Sequence, residues 1–233
     1  MGPKKGPIKS KRKVDKSMNK TGLRSQKWFN IIQAAEEVFA SKGFHEATIS
    51  EIAKRAKVSE ATIYEYFSSK EDLLFSIPIK ITQEFMEENE KILKYIDGAE
   101  NKLRALIHRR VELYSMNENY AKITTMILKT NRNFIDTEGY KLVQKSSRRW
   151  ISVLEEGVDS GEFRAGIDIY LIRAMIWGTI EHLVIRKSLL SKPENISFFF
   201  DDIVDVILNG IKANNKAQKV NYHFVLKEKN KEE

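Results

Sequence analysis

The chain has 233 residues, 42% of them hydrophobic, with 11 Gly and only 4 Pro, so it holds enough apolar material for one or two packed domains with few interruptions. It has no Cys, which excludes a disulfide framework, a Cys-based zinc site and a thiol nucleophile, and fits a reducing cytoplasm. No apolar run approaches about 18 residues, and none follows the charged start, so neither a transmembrane helix nor a secretory signal is expected.

The formal net charge of +8 is unevenly placed. Lys4, Lys5, Lys9, Lys11, Arg12, Lys13, Lys16, Lys20, Arg24 and Lys27 stand against the single acid Asp15, which leaves the rest of the chain close to neutral. Residues 1–22 are aperiodic and rich in Lys, Gly and Ser, and regular structure is not expected there. Such an arm reads either as a nucleic-acid-binding tail or as a solvated leader.

From Trp28 the pattern turns helical. Trp28, Ile31, Ile32, Ala35, Val38 and Phe39 recur at helical spacing, and Gly43 supplies a stop. Thr48 with Glu51 is a capping-box pair opening a second helix to about Ala56. Lys57-Val58 is a tight connection, and Ser59 can cap a third short helix with Ile63 facing inward and Phe67 following. Ser69 with Asp72 opens a long helix through Leu73, Leu74 and Ile77, in which Pro78 should introduce a kink or a shifted start. Further helices are expected near 100–116, 119–130, 138–159, 168–190 and 196–212, broken at Asn117, Asn131 to Thr137, Gly161 to Gly166 and Ser191 to Pro193. Only Tyr222 to Leu226 hints at a strand, so the fold class is all-α.

Two short helices joined by a tight turn form the helix-turn-helix pattern, in which the second helix lies across the DNA backbone and the third reads base edges. With Ile63 inward, Thr62, Tyr64 and Tyr66 are left for groove or phosphate, while Phe67, adjacent to Tyr66, goes to the core. Thr48, Ser50 and Lys70 sit at helix starts, where backbone N–H groups favour phosphate. Lys57 reads as a phosphate contact or as a solvated turn lysine. Between Arg24 and Ser76 the acids slightly outnumber the bases, and Glu60 either accepts from a cytosine amino group or opposes phosphate. Nonspecific attraction to DNA then falls to the N-terminal arm.

At these residues a family resemblance appears. Phe39 to Leu74, FASKGFHEATISEIAKRAKVSEATIYEYFSSKEDLL, resembles the DNA-binding domain of the TetR family. The resemblance implies nine or more helices, the first three binding DNA and the rest forming a ligand-binding and dimerisation domain. By matching position it implies phosphate contacts at Thr48, Tyr66 and Lys70, groove readers at Thr62 and Tyr64, and Ser59 near the backbone. The chain then divides into a basic arm (1–22), a DNA-binding domain (23–70), a ligand-binding and dimerisation domain (71–214) and a polar tail (215–233).

The last two helices are unusually apolar, one carrying Ile169, Leu171, Ile172, Met175, Ile176, Trp177, Ile180 and Leu183, the other Phe199, Phe200, Ile203, Val204, Ile207 and Leu208. In the resembling family they pair with their twins as a four-helix bundle, and the two-fold homodimer demands a palindromic operator. The competing reading places both faces in one monomer core. The family's ligand cavity would be lined here by Leu103, Leu106, Ile107, Tyr114, Met126, Phe134, Trp150, Trp177 and His182, for each of which ordinary core packing is the competing role.

A narrower resemblance runs from Val153 to Leu190, VLEEGVDSGEFRAGIDIYLIRAMIWGTIEHLVIRKSLL, which looks like the FadR-type branch. That branch controls fatty-acid degradation and responds to long-chain acyl-CoA, implying an apolar tunnel with cations at its mouth. Arg109, Arg110, Lys129, Arg132, Arg148 and Arg149 are available for the coenzyme phosphates. The alternatives are a repressor of an efflux pump that senses cationic amphiphiles, and a ligand-free DNA-organising factor of the same fold. An enzyme is not expected: His45, His108, His182 and His223 are scattered, no phosphate-binding or nucleophile motif is present, and Glu181 and His182 point to different helix faces. Neither a metal site nor a cofactor other than the effector is expected, and no membrane partner.

Overall fold

The computed structural model describes residues 11–213, with side chains from 26 to 213. The start of the basic arm and the polar tail, including Tyr222 to Leu226, lie outside the described residues. Helix α1 (Lys11–Glu46) begins well before Trp28, so the part of the arm from Lys11 to Gly22, expected to lack regular structure, is helical. Lys, Arg and Met rank close to Ala as helix formers, and the only prolines of the arm, Pro3 and Pro7, precede the helix. At Gly43 the backbone turns to φ 79°, ψ 175°, and regular helix ends where the sequence placed its stop.

The next two helices are set by local caps. Helix α2 (Ile49–Ala56) starts from Thr48, whose side chain accepts the Glu51 backbone N–H at 3.2 Å while the Glu51 carboxylate accepts the Thr48 N–H at 3.3 Å. It ends at Lys57 in the left-handed conformation, with φ 56° and ψ 42°. Helix α3 (Glu60–Tyr64) starts from Ser59, whose hydroxyl accepts the Thr62 N–H at 3.1 Å. Ile52, Ala53, Ile63 and Phe67 pack with Ile31, Ala35 and Phe39 of α1 into one buried cluster.

Helix α4 (Lys70–Leu93), capped by Ser69, runs through Pro78 without restarting there. Its continuation forms part of a bundle with α5 (Ala99–Met116), α6 (Glu118–Ile123), α7 (Glu138–Asp159), α8 (Ile169–Leu190) and α9 (Phe200–Ile211). Helix α6 passes into a π-helical turn over Thr124–Leu128, and a 3-10 turn over Arg132–Asp136 leads to α7. A second 3-10 turn, Ile196–Phe199, leads into α9. The α4–α7 crossing depends on Gly139, because a Cβ there would sit 2.6 Å from the Phe75 carbonyl oxygen.

Helix α5 follows Gly98, at φ 81°, and has no side-chain cap of its own. The cap comes from a distant loop: Glu162 accepts the backbone N–H groups of Ala99 at 2.9 Å and Glu100 at 3.0 Å. These two bonds hold its carboxyl below the ordinary carboxylate range. The Ser160-Gly161-Glu162 stretch thus ties the α7–α8 loop to the start of α5. A carboxyl lowered in the folded state stabilises the fold above its unfolded value of about 4.3 and loses that contribution as pH falls. We expect Glu162→Ala to cost about 1 kcal/mol at neutral pH, a melting shift of roughly 2–4 °C. Calorimetry at neutral and acidic pH checks this, and the wild-type advantage should shrink on acidification.

Candidate DNA interface and effector site

The caps fix which side chains the reading head presents. Ile63 and Phe67 are buried, as the alternation required, and Tyr64 is 54% exposed on the opposite face of α3. Thr62 lies beside it, half-buried, its hydroxyl 2.9 Å from that of Ser59. Thr48, Ser50, Lys57 and Ser59 are exposed around the same edge, and Tyr66 is half-buried with its ring 6.3 Å from that of Phe67. Short helices with capped starts thus place hydroxyls, one aromatic phenol and free backbone N–H groups on one surface, a donor set suited to phosphates and base edges.

The cations of the head are less available than their number suggests. Lys42 is paired with Glu51, and Arg55 with Glu37 at 2.6 Å. Lys70 departs from the expected phosphate role. Its ammonium donates to the carbonyls of Phe44 at 2.8 Å and Ala47 at 2.9 Å, and lies 4.5 Å from the Phe44 ring centroid. The chain leaving α1 at Gly43 presents carbonyls that no helix bond satisfies, and a lysine at the start of α4 reaches back to them. Lys54 and Lys57 remain exposed, with no ion pair among the described residues.

In the second domain the cavity-lining candidates separate. Leu103, Leu106, Ile107 and Trp150 are fully buried core, with Trp150 edge-on to Trp177 at 5.9 Å. Phe134 is buried between Phe75 of α4 and Tyr140 of α7. Met126 is half-buried. His182 is a correction: it is exposed on α8, because the buried stripe of that helix runs through Ile176, Ile180 and Val184. Tyr114 and Trp177 do line an interior cavity of about 20 Å3, with Thr82, Arg110, Tyr120 and Thr124.

The cations proposed for a ligand mouth also separate. Arg109 is held by Glu88 and Asn89, Lys129 by Glu181, and Arg149 lies 3.2 Å from Glu90. Arg132 is exposed on the 3-10 turn. Arg110 is not at a mouth, being 7% exposed. Arg148 opens onto a cleft of about 710 Å3 between α4 and α7, together with Lys91, Lys94 and Lys145, residues the sequence reading had not singled out. Ser146 lines both this cleft and the interior cavity.

The role of Lys70 gives a test. We expect Lys70→Met to lower the melting temperature by several degrees, leaving two carbonyls without their donor, while the slope of operator affinity against salt stays unchanged. A slope reduced by about one ion with no loss of stability would return Lys70 to the phosphates.

Two family profiles match consecutive parts of the chain: bacterial regulatory proteins of the tetR family over residues 31–77, and the C-terminal region of YsiA-like proteins over residues 80–210. The fatty acid metabolism regulator protein of Bacillus subtilis (strain 168) is 31% identical over 185 residues, covering 79% of this chain and 95% of that protein. The structure is similar to that of FadR from Bacillus subtilis in complex with stearoyl-CoA, with a TM-score of 0.72 at 31% identity, covering 79% of this chain and 99% of that one. It is similar also to FadR from Bacillus halodurans, with a TM-score of 0.73 at 27% identity, covering 79% and 95%. With its N-terminal helix-turn-helix and its C-terminal helical region both matched, the chain belongs to the tetR family of bacterial regulatory proteins.

Proposed function

We propose that the protein is a homodimeric cytoplasmic repressor that grips a palindromic operator through α2 and α3 and releases it on binding long-chain acyl-CoA, so controlling fatty-acid metabolism genes. The observation that carries the effector half is the basic cleft between α4 and α7, whose lining shares Ser146 with that of the aromatic interior cavity. Lys91, Lys94, Lys145 and Arg148 supply cations for coenzyme phosphates, and the core of Leu103, Leu106 and Trp150 beyond is hydrocarbon-like. The stearoyl-CoA complex of the Bacillus subtilis relative supports the same assignment. Drug-sized ligands occupy about 300–1,000 Å3, far more than the 20 Å3 interior cavity. An acyl chain therefore enters only by moving helices, which makes its binding felt at the reading head.

DNA contacts are assigned to Thr48, Ser50, Lys57, Ser59, Thr62, Tyr64 and Tyr66, with Thr62 and Tyr64 toward the major groove. For Lys70 the contact reduces to its backbone N–H. Dimerisation is assigned to α8 and α9. Tyr170, Leu171 and Met175 on α8 and Val206 on α9 are exposed, the last at 71%, and no Cβ at Gly178 or Gly210 would meet a neighbour. A monomer would leave this face to water. The efflux reading has one observation in its favour, a cleft of about 320 Å3 between α4 and α5 that carries Glu84, Glu88 and Glu112.

An operator-binding assay challenged with palmitoyl-CoA, coenzyme A alone and a cationic amphiphile separates these readings. Palmitoyl-CoA should weaken operator binding roughly 5- to 150-fold, as a coupling of about 1–3 kcal/mol dictates, with coenzyme A inert. Release by the cationic amphiphile alone would favour the efflux reading. Deleting residues 1–20 should weaken binding and flatten its salt dependence, because the head itself offers few free cations. Met175→Arg with Val206→Glu should yield monomers in sedimentation and lose the operator.

A further inference from the structure

Among the described residues, six buried side-chain polar atoms make no hydrogen bond, and three of them belong to residues lining the interior cavity: Arg110 Nε, Trp177 Nε1 and Thr124 Oγ1. The Arg110 guanidinium lies 4.3 Å from the Trp177 ring centroid, 5.3 Å from Tyr114 and 5.6 Å from Phe85. Among the described residues its one hydrogen bond, to the Tyr114 hydroxyl, is long at 3.4 Å. No carboxylate lies within ion-pair distance of it among the described residues; Glu181 lines the same cavity but is paired with Lys129. A guanidinium does not deprotonate, so a full positive charge sits among rings without a counterion. Ring faces attract a cation but do not replace the hydration or the anion it has lost. Thr124 opens the π-helical turn, and such turns concentrate at functional sites.

The proposed acyl-CoA reading assigns cations outside the core to the coenzyme and gives the buried Arg110 charge no anion to meet. We propose that the cage binds the carboxylate of a free long-chain fatty acid, a second effector beside acyl-CoA. The inference rests on the reading that this domain takes acyl ligands. A guanidinium N–H, an indole N–H and a hydroxyl are three donors for the two oxygens of a carboxylate, and a charged acceptor also answers the charge. The surroundings of Phe85, Leu113, Val143 and Trp177 are apolar, so the rest of the ligand is hydrocarbon. Burial pushes the Tyr114 hydroxyl up, which keeps it a neutral donor beside the anion. A thioester carbonyl offers an acceptor but no charge, so the cage distinguishes the acid from its coenzyme ester.

Calorimetric titration of the full-length dimer with palmitate, 1-hexadecanol and palmitoyl-CoA tests this, in the wild type and in Arg110→Met, Arg110→Lys and Trp177→Phe. Wild-type protein should bind palmitate at least about tenfold more tightly than hexadecanol, and Arg110→Met should erase that preference. Palmitoyl-CoA should change by less than about threefold in the same variant, Arg110→Lys should fall between, and Arg110→Met should melt no lower than wild type, having lost an uncompensated charge. Equal palmitate affinity in wild type and Arg110→Met, or palmitate and palmitoyl-CoA falling by the same factor, would overturn the assignment. Should Arg110→Met not fold, Trp177→Phe keeps the ring and removes one donor, and unchanged palmitate binding there would overturn it equally. Wild-type protein that ignores palmitoyl-CoA in both calorimetry and the operator assay would instead sink the wider acyl-CoA reading.

Discussion

The start of α6 has no side-chain cap of its own, and it packs against α1. The half-buried carboxylate of Glu36 on α1 faces the backbone N–H of Tyr120, which favours its charged form. Burial, with Glu37 alongside, pushes the Glu36 carboxyl above the ordinary range, and the Tyr120 bond pulls against it. The other end of the same tyrosine faces the sensor: its hydroxyl is 3.3 Å from that of Thr82 on α4, and its ring is 6.2 Å from that of Tyr114 on α5. Tyr120 is 2% exposed. One buried residue thus lies where α1, α4, α5 and α6 meet.

The interior cavity is built on that joint. Thr82, Tyr114 and Tyr120 line it beside Arg110 and Thr124. A ligand that enlarges the cavity has to move Tyr120 or the helices it touches, and through Glu36 the movement reaches α1. On the other side, α7 crosses α4 at Gly139 with no room for a side chain, so displacement of α7 is passed to the helix that starts at the reading head. Packed interiors have discrete arrangements rather than a continuum. The ligand's differential affinity for the two arrangements sets how far operator affinity falls.

What the sequence disclosed follows the range of the interactions. The caps Thr48 with Glu51 and Ser69 with Asp72 act over three residues and are found as the spacing implied, and Ser59, expected to cap α3, does so on the Thr62 N–H. Lys70 and Glu162 act over tens of residues, one on the carbonyls that follow α1 and the other on the start of α5, and nothing local to either marks its partner. Arg110 stood among neighbouring basic residues whose facing could not be read, since consecutive positions on a helix turn by about 100° and a pair of arginines always splits between faces. Arg109 took the carboxylates and Arg110 the interior. The apolar circumference of α8 was legible, but which side carried His182 depended on how α8 meets α7 and α9.

The central claim is that acyl ligands act at a distance, by changing the spacing of two recognition helices, rather than by covering the DNA surface. The chain has no cysteine, so one cysteine placed at exposed Glu65 carries a single spin label per protomer. Pulsed dipolar spectroscopy on the dimer with operator, and with palmitoyl-CoA, reads the distance between the labels. The distance should match successive major grooves, about 34–36 Å apart, in the operator complex and differ with ligand. Operator release with an unchanged distance would contradict it.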